Sequence, residues 1–480
     1  MHFFKKSAAG DEKQSFPEEE DVERQHQHAL RKDAISVVGA AAMAIAFMGP
    51  AAMIVALLIA SAIAEFARKI PTAGFAYSFN MAGFGKVGGF LSGWILMFSY
   101  FMIGPMLLSA IGALVSQFFL ITWNITLPWW MWTIIFSVIC WLINLWGVSQ
   151  SAIVALIFLV WEVSIMLALS LTILAKGGAE GINGQAFNPQ YSNNGVSGLG
   201  IGLLWCIQFF IGFESAGTLG EETRNPRRNI PIALFFSVTV IGIFYVLGGW
   251  AAITGYGINN MNTLLSDPSP WITLGQTFWR PGIGWLISLT VLNSIFANLL
   301  SGVNAAVRVI YAMGREGLLP SFLGRTNSRR VPFVALTLYM VVSLALALGA
   351  SFGLANEGGP LASYGFFGTL LGLGIVLTYI LINLALISFY WRKHRQEFNW
   401  LRHFALPIIA SVIMILPIYG IVYPVPALPN NLVPYIMLGW IVIGVVYVGI
   451  ILVVKPSLLD AMGKALDPSA EQEIVGPGEN

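Results

Sequence analysis

Hydrophobic residues occur in long runs separated by short polar loops between about residue 34 and residue 454. An α-helix needs about 20 apolar residues to cross a bilayer. Ten runs have this length, and they predict spans near residues 90–117, 128–147, 151–174, 198–220, 231–253, 283–313, 332–354, 362–390, 404–423 and 434–454. The pattern therefore predicts an all-α, polytopic membrane helix bundle.

Polar segments at the two ends set the domain boundaries. Residues 1–33 contain an acidic run at 18–21 and end in Arg31, Lys32 and Asp33. They contain no apolar core following a basic n-region, so a cleavable signal peptide is not expected. We predict a disordered cytosolic tail at 1–33, a membrane domain at 34–454 and a cytosolic C-terminal tail at 455–480.

Composition supports the membrane class. The chain is 57% hydrophobic and only 10% charged, whereas soluble domains have about 25% charged residues. Cys140 and Cys206 both lie in apolar runs, so a disulfide framework is not indicated.

Basic residues are concentrated on alternate loops. The loops rich in arginine and lysine lie near residues 68–86, 224–228, 315–330 and 392–402, and the loops between them carry only Lys176 and Arg280. Basic loops stay on the cytoplasmic side of a membrane. This pattern predicts a multi-pass protein of the plasma (cytoplasmic) membrane with both termini in the cytosol.

The first apolar run does not fit this alternation. Its 31 residues, 34–64, span about 46 Å as helix, whereas two crossings need about 40 residues and a turn. Basic residues flank the run on both sides, so one crossing would place one flank on the wrong side. A short re-entrant or truncated hairpin, bent at Gly49 and Pro50, is favoured over a single tilted helix.

The run at 198–220 carries the strongest functional signal. Gly212 and Gly217 weaken a helix there. Between them lies Glu214, and an ionisable group at membrane depth indicates a functional site by default. A charged turn follows at 221–231, in which Pro231 is predicted to open the next helix. A broken helix with a buried acid is typical of a transporter substrate site.

Several stretches resemble the amino acid–polyamine–organocation (APC) permeases. The run Gly-Phe-Glu-Ser-Ala-Gly at 212–217, with the turn at 221–231, resembles the sixth-helix signature of that superfamily. Residues 64–74 resemble the loop after the second helix of those permeases, and residues 308–320 the loop after their eighth. The resemblance implies a LeuT-like fold, in which two inverted repeats of five helices are followed by two more helices.

The chain departs from the family pattern at its first hairpin. On the family register, the outer half of helix 1 and the start of helix 2 are missing after Gly49 and Pro50. Phe47, Met48 and Gly49 resemble Phe210, Ile211 and Gly212 in form, as expected of corresponding breaks in two inverted repeats. Both triplets are therefore predicted to line the substrate site.

The predicted chemistry rests on the unwound backbone. Free carbonyl groups between Phe209 and Phe213, including that of Ile211, suit a substrate ammonium group. Phe209, Phe210 and Phe213 would close over the ligand as an aromatic gate; the alternative is that they are ordinary packing or lipid-facing side chains. Asn298 is the amide of the 283–313 span predicted to reach the ligand.

Two deep carboxylates are candidates for proton coupling, Glu214 and Glu162. Glu214 could bind a proton or a cationic substrate, or it could tie down the unwound backbone. Glu162 lies about 18 Å into its span and is predicted to face the bundle interior. A neutral structural hydrogen bond is the alternative role for Glu162.

These features favour a secondary active transporter of amino acids or related amines, coupled to protons or working by exchange. A transport-impaired homologue or deletion product is the alternative. A channel is disfavoured because filter rings are not evident. No enzyme activity is predicted, because a clustered nucleophile, base or metal set is lacking. We expect no cofactor, metal or nucleic acid; the expected partners are a small-molecule substrate, the lipid bilayer and a coupling proton.

Overall fold

A computed structural model describes residues 53–70, 75–182, 203, 207, 210–219, 223–260, 263–264, 267, 269–315, 317–423 and 425–454. The α-helices of this described part are α1 (Met53–Lys69), α2 (Ala76–Phe84), α3 (Lys86–Phe101), α4 (Ile103–Trp123), α5 (Trp129–Leu145), α6 (Val148–Ala175), α7 (Pro226–Tyr256), α8 (Pro270–Phe278), α9 (Gly284–Arg315), α10 (Phe333–Gly353), α11 (Pro360–Lys393), α12 (Leu406–Ile413), α13 (Ile415–Val422) and α14 (Val433–Val454). Two further helical elements are used below: a 3-10 helix, Phe213–Leu219, and a π-helix, Leu401–Ala405.

The all-helical membrane class is confirmed, with a smaller number of full-length spans than the ten predicted. Among the described residues, eight helical segments are long and apolar enough to cross a membrane. The predicted span 128–147 corresponds to α5, an apolar helix of 17 residues. The predicted span 198–220 is interrupted, as described below. Residues 1–52, which contain the first hairpin up to Ala52, lie outside the described part of the chain.

Two helices were missed by the hydropathy pattern. α2 and α8 have nine residues each, too few to cross a bilayer. Every residue of α2 from Ala76 to Gly83 is nevertheless buried. At Gly83 an added Cβ would lie 2.7 Å from the Cα of Ala385 in α11. Close backbone approach at a small residue is the usual way in which membrane helices pack.

The start of α7 differs from the prediction. The helix begins at Pro226, five residues before Pro231, which lies inside it. Proline is favoured in the first turn because the first N–H groups of a helix have no intrahelical partner. The basic turn at 224–228 therefore leads directly into α7, which packs along α1.

Three of the basic loops meet at one end of the bundle. One cavity is lined by the end of α1 at Lys69, the start of α7 at Arg227, and the segment between α11 and the π-helix. We call this end the basic face. The interrupted segment lies among α1, α7 and α9, which all contact the 3-10 helix.

Candidate substrate and coupling site

The run at 198–220 is broken at Gly212, as its sequence predicted. Residue 210 is the last helical residue before a turn at 211–212, and the 3-10 helix begins at Phe213. Gly212 has φ +117°, a conformation that residues with a Cβ rarely adopt. Gly217 is required for another reason, because an added Cβ would lie 2.8 Å from the Phe75 ring.

Glu214 folds back onto this break and is fully buried (0% exposed). Its Oε2 accepts a hydrogen bond from the backbone N–H of Gly212 at 2.9 Å. Its Oε1 accepts a hydrogen bond from the hydroxyl of Tyr100 in α3 at 2.8 Å. The carboxylate therefore joins the unwound backbone to a neighbouring helix.

A second tyrosine faces the same carboxylate. The Tyr379 hydroxyl of α11 lies close to Glu214 but has no hydrogen-bond partner in good geometry among the described residues. Tyr379 and Asn383 are four residues apart, on one face of α11, and both amide atoms of the buried Asn383 also lack partners. Buried polar groups without partners are uncommon and call for a functional explanation.

The predicted aromatic side chains of the break point into the bundle. Phe210, Ile211 and Phe213 are all buried. The Phe213 ring contacts the Tyr379 ring at a centroid distance of 6.1 Å, and the Phe210 ring contacts that of Tyr245 in α7, also at 6.1 Å. These contacts are interior, so neither phenylalanine is a lipid-facing side chain.

Glu162 faces the interior, as its sequence position predicted. Its carboxylate accepts a hydrogen bond from the Ser294 hydroxyl of α9 and interacts with Tyr245. Tyr245 thus interacts electrostatically with Glu162 and contacts the Phe210 ring of the broken segment.

The amides of α9 have different environments. Nδ2 of Asn293 donates to the Phe158 carbonyl of α6 at 2.7 Å, and Nδ2 of Asn304 donates to Oγ of Ser151 at 2.9 Å. These two hydrogen bonds link α9 to α6. Nδ2 of Asn298 donates to its own helix, at the Ser294 carbonyl (3.0 Å), and the role of Asn298 as a substrate contact stays a prediction.

The remaining predicted site residues are not part of the described structure. Phe47, Met48 and Gly49 precede residue 53, and Phe209 lies between the described residues 207 and 210. Sequence reasoning missed Tyr100, Tyr245 and Tyr379, which surround the two carboxylates. The sequence showed each of them only as a tyrosine within an apolar run. This signal is weak because tyrosine is common in membrane helices.

A helix broken at a glycine and held by a buried carboxylate, within a bundle of apolar helices, is the arrangement expected of a LeuT-like fold. The solved structure of MhsT in complex with L-phenylalanine is similar in fold: it aligns with a TM-score of 0.51 at 16% identity, covering 82% of this chain and 100% of that one. The model of the amino acid permease family matches residues 31–451. The chain belongs to that family, within the APC superfamily.

Curated relatives agree with this assignment. The branched-chain amino acid permease BcaP of Lactococcus lactis is 26% identical over 369 residues, which cover 72% of this chain and 74% of BcaP. The low-affinity putrescine importer PlaP of Escherichia coli is 25% identical over 362 residues, which cover 74% of this chain and 75% of PlaP. The resemblance seen in the sequence motifs is thereby confirmed.

Proposed function

We propose that this protein is a secondary active transporter that carries an amino acid or a related amine by alternating access. The observation that carries the proposal is the interruption at Gly212, where the backbone is unwound beside a buried carboxylate. Irregular backbone is tolerated at membrane depth only where protein buries it or a cavity hydrates it. Transporters use such breaks to expose backbone groups to a substrate.

The substrate class follows from the groups that the break presents. The carbonyl groups of the turn at 211–212 are acceptors for an ammonium group, and a helix C-terminal end adds a negative dipole. Phe210 and Phe213 provide apolar surface beside these acceptors. BcaP and PlaP are named for a branched-chain amino acid and a diamine, and both kinds of solute carry an amino group.

The two deep carboxylates have different proposed roles. Both oxygens of Glu214 already accept hydrogen bonds, so in this conformation Glu214 stabilises the break, and it exchanges a proton only when Tyr100 moves away. Glu162 is half-buried and accepts a hydrogen bond from Ser294. We assign the coupling proton first to Glu162 and second to Glu214.

The proposed orientation places the basic face in the cytosol, in the plasma membrane, with both tails on the same side. Single cysteines at positions 31, 49 and 68 test this with an impermeant thiol reagent added to sealed vesicles. Positions 31 and 68 are expected to react from the same side. Reaction of these two positions from opposite sides would establish a single crossing of the first apolar run.

A counterflow assay tests the transport proposal. Purified protein in sealed liposomes loaded with unlabelled leucine or putrescine is expected to accumulate the labelled solute transiently, which only a carrier does. Glu162→Gln and Glu214→Gln should each change the pH dependence of proton-driven uptake. Glu357→Gln, in an exposed loop, is the matched control and should leave the profile unchanged.

Two results would contradict the proposal. If the folded protein shows counterflow of no amino acid or polyamine, the chain is a transport-impaired homologue. If both carboxylate variants keep the wild-type pH profile while transporting, the coupling roles are wrong and exchange is the remaining mechanism.

A further inference from the structure

A polar cavity of about 550 Å³ lies at the basic face. It is formed by the end of α1, the start of α7, the end of α11 and the π-helix. All of its lining side chains are polar or charged. The transport proposal does not use this cavity.

Two of the basic side chains in the cavity are already neutralised. Nη1 of Arg68 lies 3.0 Å from Oε1 of Glu65, and Nζ of Lys69 lies 2.8 Å from Oε2 of Glu397. The hydrogen bond from Lys69 lowers the pKa of Glu397, so this carboxylate stays ionised and paired.

Two further arginines line the same cavity. Arg227 and Arg402 have no carboxylate within 4 Å among the described residues. The cavity therefore combines four basic side chains with two carboxylates, both of which are engaged by other basic residues. The positive charge of Arg227 and Arg402 is left available to an anion.

His403 adds a buried hydrogen-bond donor. Its side chain is 5% exposed, and its ring stacks on that of Tyr390 with centroids 3.6 Å apart. Nδ1 accepts a hydrogen bond from the backbone N–H of Asn399 at 2.9 Å, so the proton of a neutral ring lies on Nε2. Nε2 has no hydrogen-bond partner among the residues that the structure describes, and it lies 3.7 Å from Oε2 of Glu65, beyond hydrogen-bond distance.

We propose that this cavity binds a phosphate group, held by the guanidinium groups of Arg227 and Arg402 with Nε2–H of His403 as a third donor. Arginine binds phosphate through paired N–H groups with fixed geometry.

An anionic phospholipid is the source that the surroundings favour. Trp400 and Leu401 immediately precede Arg402 and are 63% and 60% exposed, and Trp391 is 50% exposed. Tryptophan concentrates at the membrane interface, where these side chains would lie against acyl chains. Basic pockets between membrane helices bind anionic lipid headgroups in this way.

Lipid titration of the full-length protein tests the proposal. Native mass spectrometry of protein in detergent would compare phosphatidylglycerol with phosphatidylethanolamine, which has no net charge. The wild type is expected to bind phosphatidylglycerol at least tenfold more tightly. The double variant Arg227→Gln/Arg402→Gln should lose this preference, and Arg402→Lys, which keeps the charge and loses the paired geometry, should lose part of it.

The matched control is Arg329→Gln/Arg392→Gln, which removes two exposed positive charges outside the cavity and should retain the preference. Equal weakening in both double variants would overturn the proposal, because binding would then be non-specific attraction to the basic face. A wild type without lipid preference would overturn it as well. Inorganic phosphate that binds wild-type protein through Arg227 and Arg402, with no phosphatidylglycerol bound, would overturn the lipid assignment.

Discussion

Replacing Tyr100 by Phe removes one hydroxyl group, which donates to Oε1 of Glu214 at 2.8 Å. Both residues are fully buried, so water cannot replace the lost donor without entering the bundle. Such a bond contributes about 1 kcal/mol when the acceptor is neutral and about 1.5–3 kcal/mol when it is charged. We expect Tyr100→Phe to lower the free energy of unfolding by an amount in this range, with the higher values indicating an ionised Glu214.

The assay is a double-mutant cycle. The free energy of unfolding in mixed micelles is measured for Tyr100→Phe, Glu214→Gln and their combination. Residues that share a hydrogen bond show a coupling energy of about 0.5–3 kcal/mol. Tyr447→Phe is the matched control, since its hydroxyl donates to the Leu318 carbonyl at 2.9 Å, and its effect should add to that of Glu214→Gln.

The result that would refute this reasoning is additivity of Tyr100→Phe and Glu214→Gln within about 0.5 kcal/mol. Glu214 would then not depend on α3. The proposed coupling of the break to α3 through Glu214 would be lost.

Two further predictions concern the backbone of the break and the basic face. Gly212→Ala should destabilise the protein by about 1–3 kcal/mol because of the positive φ at this position. Gly349→Ala, at an open position inside α10, is the control and should be neutral or stabilising. Equal melting temperatures of the two variants would contradict this prediction. Lys69→Met should raise the pKa of Glu397 back toward its ordinary range, because the hydrogen bond from Lys69 lowers it. The stabilisation from this pair is present above the unfolded pKa of Glu397 and is lost as pH falls through the lowered folded pKa. The melting temperatures of wild type and Lys69→Met should therefore converge as the pH falls through the lowered pKa of Glu397, and a difference that stays constant in acid would contradict this.

Much of the helical framework was predictable because it depends on local composition. An apolar run of about 20 residues has few alternatives to a membrane helix, and most predicted spans match helices in the structure. The break at Gly212 was predictable for a similar reason, since a glycine and a carboxylate are both unfavourable in a continuous apolar helix. α2 and α8 escaped prediction because nine residues leave no span-length hydropathy signal.

The groups around the carboxylates were not predictable from local pattern. Tyr100 lies 114 residues before Glu214, and Lys69 lies 328 residues before Glu397. Only tertiary packing brings these pairs together, and a single sequence contains no record of the distance between them. The basic loops were visible in the sequence, whereas the cavity that they form with His403 and Tyr390 was not.

The central claim is that a small amine or zwitterion docks on the unwound backbone beside Glu214. Electron cryomicroscopy of the protein in nanodiscs, with a solute that shows counterflow, tests this most directly. We predict ligand density with its amino group against the carbonyls of residues 209–213 and with Glu214 still folded onto Gly212. A continuous helix through residues 198–220, with the Glu214 carboxylate directed to lipid, would contradict the account.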